Sequence, residues 1–100
     1  MKISVAEDFS RFPAGRFRED GPFSGQAFRE DHLAPAMKRG ESVEVHMDGT
    51  EGYGSSFLEE SFGGLVHTER MDKNEIRERL LVETEDEALR IEIWDYIERL

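Results

Sequence analysis

SVEVHMDGTEGYGSSFLEESFGGLV, residues 42–66, is the stretch from which the fold is read. Val43, Val45 and Met47 alternate with Glu44, His46 and Asp48, the period of two that marks a strand buried on one face. Glycines at 49, 52 and 54 then make a loop. Ser56-Phe57-Leu58-Glu59 has the form of a capping box, with the serine accepting from the backbone at Glu59 and the glutamate reaching back. Leu58, Phe62, Leu65 and Val66 follow at helical spacing. Strand, flexible loop, paired serines and helix therefore come in that order, and the functional surface is expected on the loop.

Outward from this unit, the N-terminal side predicts a strand over Lys2–Ala6, with Ile3 and Val5 on one face. Asp8 to Gly21 mixes phenylalanines with Pro13 and Gly15 and ends on the turn pair Asp20-Gly21. It reads as a hairpin-like excursion with a strand near Gly15–Arg18. Ser24 is a good N-cap for a helix through Ala27, Phe28 and Leu33 toward Met37, and Gly40 ends it. Pro35 lies inside the pattern and is expected to kink that helix or start a second one, because it has no N–H to donate. Gly63 and Gly64 each cost about 1 kcal/mol in a helix relative to alanine, so they predict close packing, here against the sheet.

On the C-terminal side, Asp72-x-x-Glu75 and Thr84-x-x-Glu87 are two further capping signatures. Between them a short helix with Ile76 hands over to a strand near Leu80–Thr84. Leu89, Ile91 and Ile93 alternate as a strand would, yet Leu89, Ile93, Ile97 and Leu100 fit a helix, and length and cap decide for the helix. Trp94, Tyr96 and Ile97 on it are expected to seal the core rather than to pair with a second copy. Strands separated by helices imply an α/β fold, a mixed and mostly parallel sheet of about four strands with helices packed on it. A chain of 100 residues has room for one core, so a single domain over residues 1–100 is expected.

Composition narrows the function classes. With no cysteine there is no disulfide framework and no thiolate metal site. Glu7 and Asp8 interrupt any apolar leader, and no apolar run approaches a membrane span, so the expectation is a cytoplasmic protein. The net charge of −10 is uneven. Residues 1–40 hold seven Lys/Arg against six Asp/Glu, whereas residues 41–100 hold six against seventeen. That acidic half repels nucleic acid and anionic lipid, and it reads first as a solvated face and second as a docking surface for a basic partner.

Candidate chemistry is sparse. His32, His46 and His67 have no metal-ligand spacing, and no cofactor is expected. Ser56, His67 and Asp48 can be drawn as a triad, but no nucleophile elbow accompanies them, so the chain reads as non-enzymatic. Gly49-x-x-Gly52-x-Gly54 lacks the spacing and the lysine of a phosphate loop, and Asp48, Glu51, Glu59 and Glu60 oppose a bound polyanion. Ser55 and Ser56 are different. A covalent phosphate at the mouth of a helix adds roughly −1.5 to −2 charges beside free N–H groups, which suits a switch. The simpler reading makes Ser56 the cap alone.

Phe9–Arg16 (FSRFPAGR), Asp20–Gly25 (DGPFSG), Ala27–Arg29 and above all Gly52–Leu65 (GYGSSFLEESFGGL) resemble the bacterial and phage STAS-like domain of unknown function (DUF4325-type). The resemblance covers most of the chain and is weakest after His67. That family is itself similar to the STAS domains of anti-sigma-factor antagonists, small α/β folds with an Asp-Ser-Ser/Thr-Gly motif at a helix start. In those, a histidine-kinase-like ATPase phosphorylates the first serine and the complex breaks. The resemblance therefore implies a regulatory protein-binding module with Ser55 as candidate phosphoacceptor, Ser56 beside it, and a kinase or ATPase as partner. Gly54 stands where the motif has aspartate, and Phe57 where it has glycine. The expected partner-binding residues are Asp48, Gly52, Tyr53, Gly54, Ser55, Ser56, Phe57 and Glu60. An acidic inhibitor or antitoxin-like protein, its C-terminal carboxylates set against a basic nucleic-acid-binding surface, is the alternative. In either case the chain is expected to be a monomer or homodimer.

Overall fold

Val43, Val45 and Met47 are buried while Glu44 and His46 are half-exposed, so the central strand presents one apolar face, as its alternation requires. The computed structural model describes residues 1–99; Leu100, the last position of the C-terminal apolar stripe, lies outside the described residues. The central strand, β2 (Val43–His46), pairs in parallel with β1 (Lys2–Ser4) on one side and β3 (Leu80–Glu83) on the other, giving the order β1-β2-β3. Ile3 sits opposite Val45, and Val45 opposite Val82, which aligns the buried residues of all three strands in one row.

Three parallel strands replace the expected mixed set of about four. The segment near Gly15–Arg18 is not a strand. Phe17 donates its N–H to Asp20 Oδ2 (2.8 Å) and Arg18 to Gln26 Oε1 (3.0 Å), so side chains take the donors that a ladder would use, and a 3-10 turn follows at Arg18–Asp20. β1 stops at Ser4 for a similar reason. Asp8 Oδ2 accepts from the Ser4 N–H, Ser4 Oγ accepts from Glu7, and the chain turns through Val5–Phe9.

Helix α1 (residues 25–38) starts where expected, with Ser24 Oγ accepting from the Ala27 N–H at 3.1 Å. Its middle turn, Arg29–Leu33, is wide, of π type, and Pro35 follows at once. The wide turn lets the helix pass the proline without a break. Helix α2 (residues 55–67) also carries a π turn, at Glu59–Gly63. Helix α3 (Lys73–Arg79) is capped by Asp72, as its signature predicts. Helix α4 (Glu87–Glu98) is capped by Asp86 and not by Thr84, whose hydroxyl is used elsewhere. No described helix is long and apolar enough to cross a membrane.

Both crossovers advance the same way along the sheet, and the right-handed rule then lays α1 and α2 on one face. Phe28, Leu33 and Met37 of α1 and Phe57, Phe62 and Leu65 of α2 close over the strands there. Ile76, Ile93, Tyr96 and Ile97 complete the core and half-buried Trp94 packs against it, so the C-terminal helix does seal the core. On the other face, Lys2, Glu44 and Leu81 form one row and Ser4, His46 and Glu83 the next, each at least partly exposed.

Between the two crossover helices lies a buried cation. Arg29 is 2% exposed; its Nη1 donates to the Glu60 carbonyl (2.6 Å) and Glu60 Oε2 (2.7 Å), and its Nε to Glu69 Oε2 (3.1 Å). This explains the glycine pair, with a different partner from the expected sheet. A Cβ on Gly64 would lie 2.9 Å from Arg29 Cδ and press on Nη1, while one on Gly63 would sit 3.4 Å from the Tyr96 carbonyl of α4.

Alanine at the two glycines should therefore behave oppositely. Gly64→Ala should lose about 1–3 kcal/mol by overpacking, whereas Gly63→Ala should stay near wild type, because the gain in helix propensity offsets a tight contact. Past α2, Arg70 holds φ 62°, the left-handed conformation usual for glycine at a helix end. Arg70→Gly should raise stability by up to about 1 kcal/mol. Urea denaturation of the three variants measures all of this.

Candidate protein-docking site

The loop that leaves β2 is held by its own polar groups. Asp48 Oδ1 accepts from the Thr84 hydroxyl (2.5 Å) and Oδ2 from the Glu85 N–H (3.0 Å), which ties the carboxyl end of β2 to that of β3. These two bonds, the hydroxyl's first, hold the Asp48 carboxyl below its ordinary pKa. Gly49 and Gly52 take φ of 102° and 125°, so the loop turns where only glycine is at ease. The Tyr53 hydroxyl donates to the Met47 carbonyl (2.5 Å) and its ring packs on Phe57, with centroids 5.7 Å apart. Burial pushes the Tyr53 phenol up to about 12.

Gly54 is the N-cap of α2, and Ser55 is its first residue, exposed. The capping box expected from Ser56 and Glu59 does not form. Ser56 lies inside the first turn and accepts from Arg16 Nη2 at 3.4 Å, while Glu59 is drawn to the same Nη2 at 2.6 Å. Arg16 Nη1 also lies 3.6 Å from Glu60 Oε1. The first turn of α2 thus has no side-chain cap, which leaves its leading N–H groups without a side-chain partner.

Of the expected docking residues, Asp48, Gly52, Gly54 and Ser55 are exposed, and Tyr53 and Ser56 half-exposed. Phe57 is not available to a partner: at 1% exposure it belongs to the core, as helical spacing with Phe62 and Leu65 places it. Glu60 is mostly buried, and its carboxylate is committed to Arg29. The triad of Ser56, His67 and Asp48 is not assembled, since His67 is at the far end of α2, about 16 Å along the axis from Ser56. His46 lies on the open sheet face between Ser4 and Glu83.

Sequence reasoning missed the 10–24 excursion as part of this site. Glu51 donates its N–H to the Arg11 carbonyl at 2.8 Å, Arg11 pairs with Glu51 at 3.6 Å, and Arg16 reaches α2. The only signal was the density of arginine in FSRFPAGRFR, opposite an acidic helix start. It also missed a cleft of about 350 Å³ between the loop and α4, walled by Met47, Asp48, Tyr53, Asp86, Leu89 and Glu92.

Residues 24–89 match the family model of the STAS-like domain of unknown function (DUF4325). The chain belongs to that family. The match takes in β2, the glycine loop, the paired serines and all of α2. No curated protein and no solved structure matches this STAS-like domain.

Asp48 shares its depressed pKa with Glu69, held down by Lys38 and then Arg29, and with Glu98, held down by Arg77. A folded pKa below the unfolded one contributes stability above the ordinary carboxylate range, and that stability is lost as pH falls through the depressed value. The urea midpoint should hold down to about pH 5 and fall below about pH 4. Asp48→Asn, which keeps an acceptor for Thr84 without the charge, should fall less steeply over that range.

Proposed function

We infer that this STAS-like domain is a non-enzymatic regulatory module that docks a protein partner through residues 48–56, with Ser55 as its switch. What carries the reading is the position of Ser55: an exposed hydroxyl on the first residue of a helix with no side-chain cap, behind a loop hydrogen-bonded at Asp48 and Tyr53. Parallel α/β sheets bind ligands outside the carboxyl ends of their strands, and the loop leaves the sheet there. Open space around Gly54, where a Cβ would meet nothing within 4 Å, lets a partner approach the serine.

A serine kinase of the histidine-kinase-like ATPase kind fits this site as the partner. Transfer forms a bond from Ser55 Oγ to the γ-phosphorus of ATP and breaks the bond to the β-phosphate bridging oxygen. ADP leaves, and the hydroxyl proton passes to a base on the kinase. The added charge sits beside the free N–H groups of α2, so the helix tolerates it. The already acidic docking surface becomes more negative, and the partner is released.

The acidic-inhibitor reading loses ground to internal pairing. Arg77 binds Glu98, Arg90 binds Glu87, and Arg99 binds Asp95, which spends carboxylates that a basic target would need.

Incubation with the cognate kinase and ATP should place one phosphoryl group on Ser55, read by mass spectrometry. Ser55→Asp should weaken partner capture about tenfold or more, and Ser55→Ala should leave capture intact while abolishing its sensitivity to ATP. An unmodified Ser55, together with capture indifferent to Ser55→Asp, would remove the switch.

A further inference from the structure

The cleft between the 48–53 loop and α4 is not explained by the serine switch. Met47, Tyr53 and Leu89 give it an apolar floor, and Asp48, Asp86 and Glu92 stand around it. No lysine, arginine or histidine lines it, although cations pair with carboxylates over much of the remaining surface. Asp86 uses Oδ1 to cap α4 (3.1 Å from the Leu89 N–H), and Glu92 uses Oε2 to accept from the Tyr96 hydroxyl (2.9 Å). Asp86 Oδ2 and Glu92 Oε1 make no hydrogen bond among the described residues. Leu89 and Glu92 lie three apart on one face of α4 and both line the cleft, so a carboxylate borders the apolar floor.

We propose that this cleft receives an arginine side chain of the protein partner, which deepens the docking reading above and rests on it. An apolar floor bordered by carboxylates that each keep an unpaired oxygen suits a guanidinium better than an ammonium. The guanidinium is planar and weakly hydrated, packs on apolar and aromatic surface, and offers several donors to carboxylates at once. The cleft is of the size that holds one small group. Its wall at Gly52 and Tyr53 is continuous in the chain with Gly54 and Ser55, so the cleft adjoins the serine site. The acidic balance of residues 41–100 supplies the long-range field that steers such a cation in.

The test uses the whole chain, labelled with nitrogen-15, and three probes followed by amide chemical shifts. These are an acetylated, amidated pentapeptide with one arginine between glycines, the same peptide with neutral citrulline, and spermidine. The arginine peptide should give saturable shifts confined to residues 47–53 and 86–92 and bind tighter than either other probe. Glu92→Gln keeps an acceptor for Tyr96 and Asp86→Asn keeps an N-cap, so both should retain the wild-type spectrum elsewhere while weakening the arginine peptide about tenfold. Equal binding of the citrulline peptide, shifts scattered over other acidic surfaces, or tighter binding of spermidine would overturn the proposal. Each of these would leave Ser55-dependent capture standing, so failure of the cleft and failure of the docking reading are separable.

Discussion

Arg29 is the group on which the rest of the structure depends. A guanidinium at 2% exposure has given up its water, and only partners with full geometry can hold it there. Glu60 supplies both a carboxylate and a carbonyl, and Glu69 a second carboxylate that Lys38 holds from outside. The contact is possible because Gly64 has no side chain. A similar approach lies at the other end of the same helix pair, where a Cβ on Gly25 would sit 3.0 Å from Glu60 Cβ and collide with the Phe57 carbonyl. Glycine on each helix thus lets α1 and α2 lie close together, and the buried charge sets their register.

That register fixes the site. α2 is pinned through Glu60 to α1 and through Gly63 to α4, so its first turn emerges at a set place beside the carboxyl ends of the strands. The loop before it is tied at three points. Asp48 is tied to β3, Glu51 to the excursion, and Tyr53 to Met47. Ser55 follows this anchored run after Gly54 and is exposed.

Much of this was legible in the primary structure, and the reasons are local. β2 followed from alternation, the loop from glycines that must take positive φ, and α1 and α3 from caps that each need one side chain and one or two N–H groups. The capping boxes at Ser56 and Thr84 were misread for different reasons. Ser56 and Glu59 found a partner far along the chain in Arg16, whereas the Thr84 oxygen accepts from the nearby Asp86 N–H and leaves the helix start to Asp86. A cap motif shows only that a bond can form locally. It says nothing of competitors more than thirty residues away.

By itself the sequence determined the class of fold, the order of strand, loop and helix, and the serines as the distinctive pair, because these rest on contacts within a few residues. Tertiary structure decided which serine is exposed, that Phe57 and Glu60 turn inward, and that a cleft opens between the loop and α4. It decided as well that the sheet has three parallel strands and one open face. Those outcomes depend on which distant groups meet, and a buried arginine selecting its carboxylates across thirty and forty residues leaves no periodic trace in the chain.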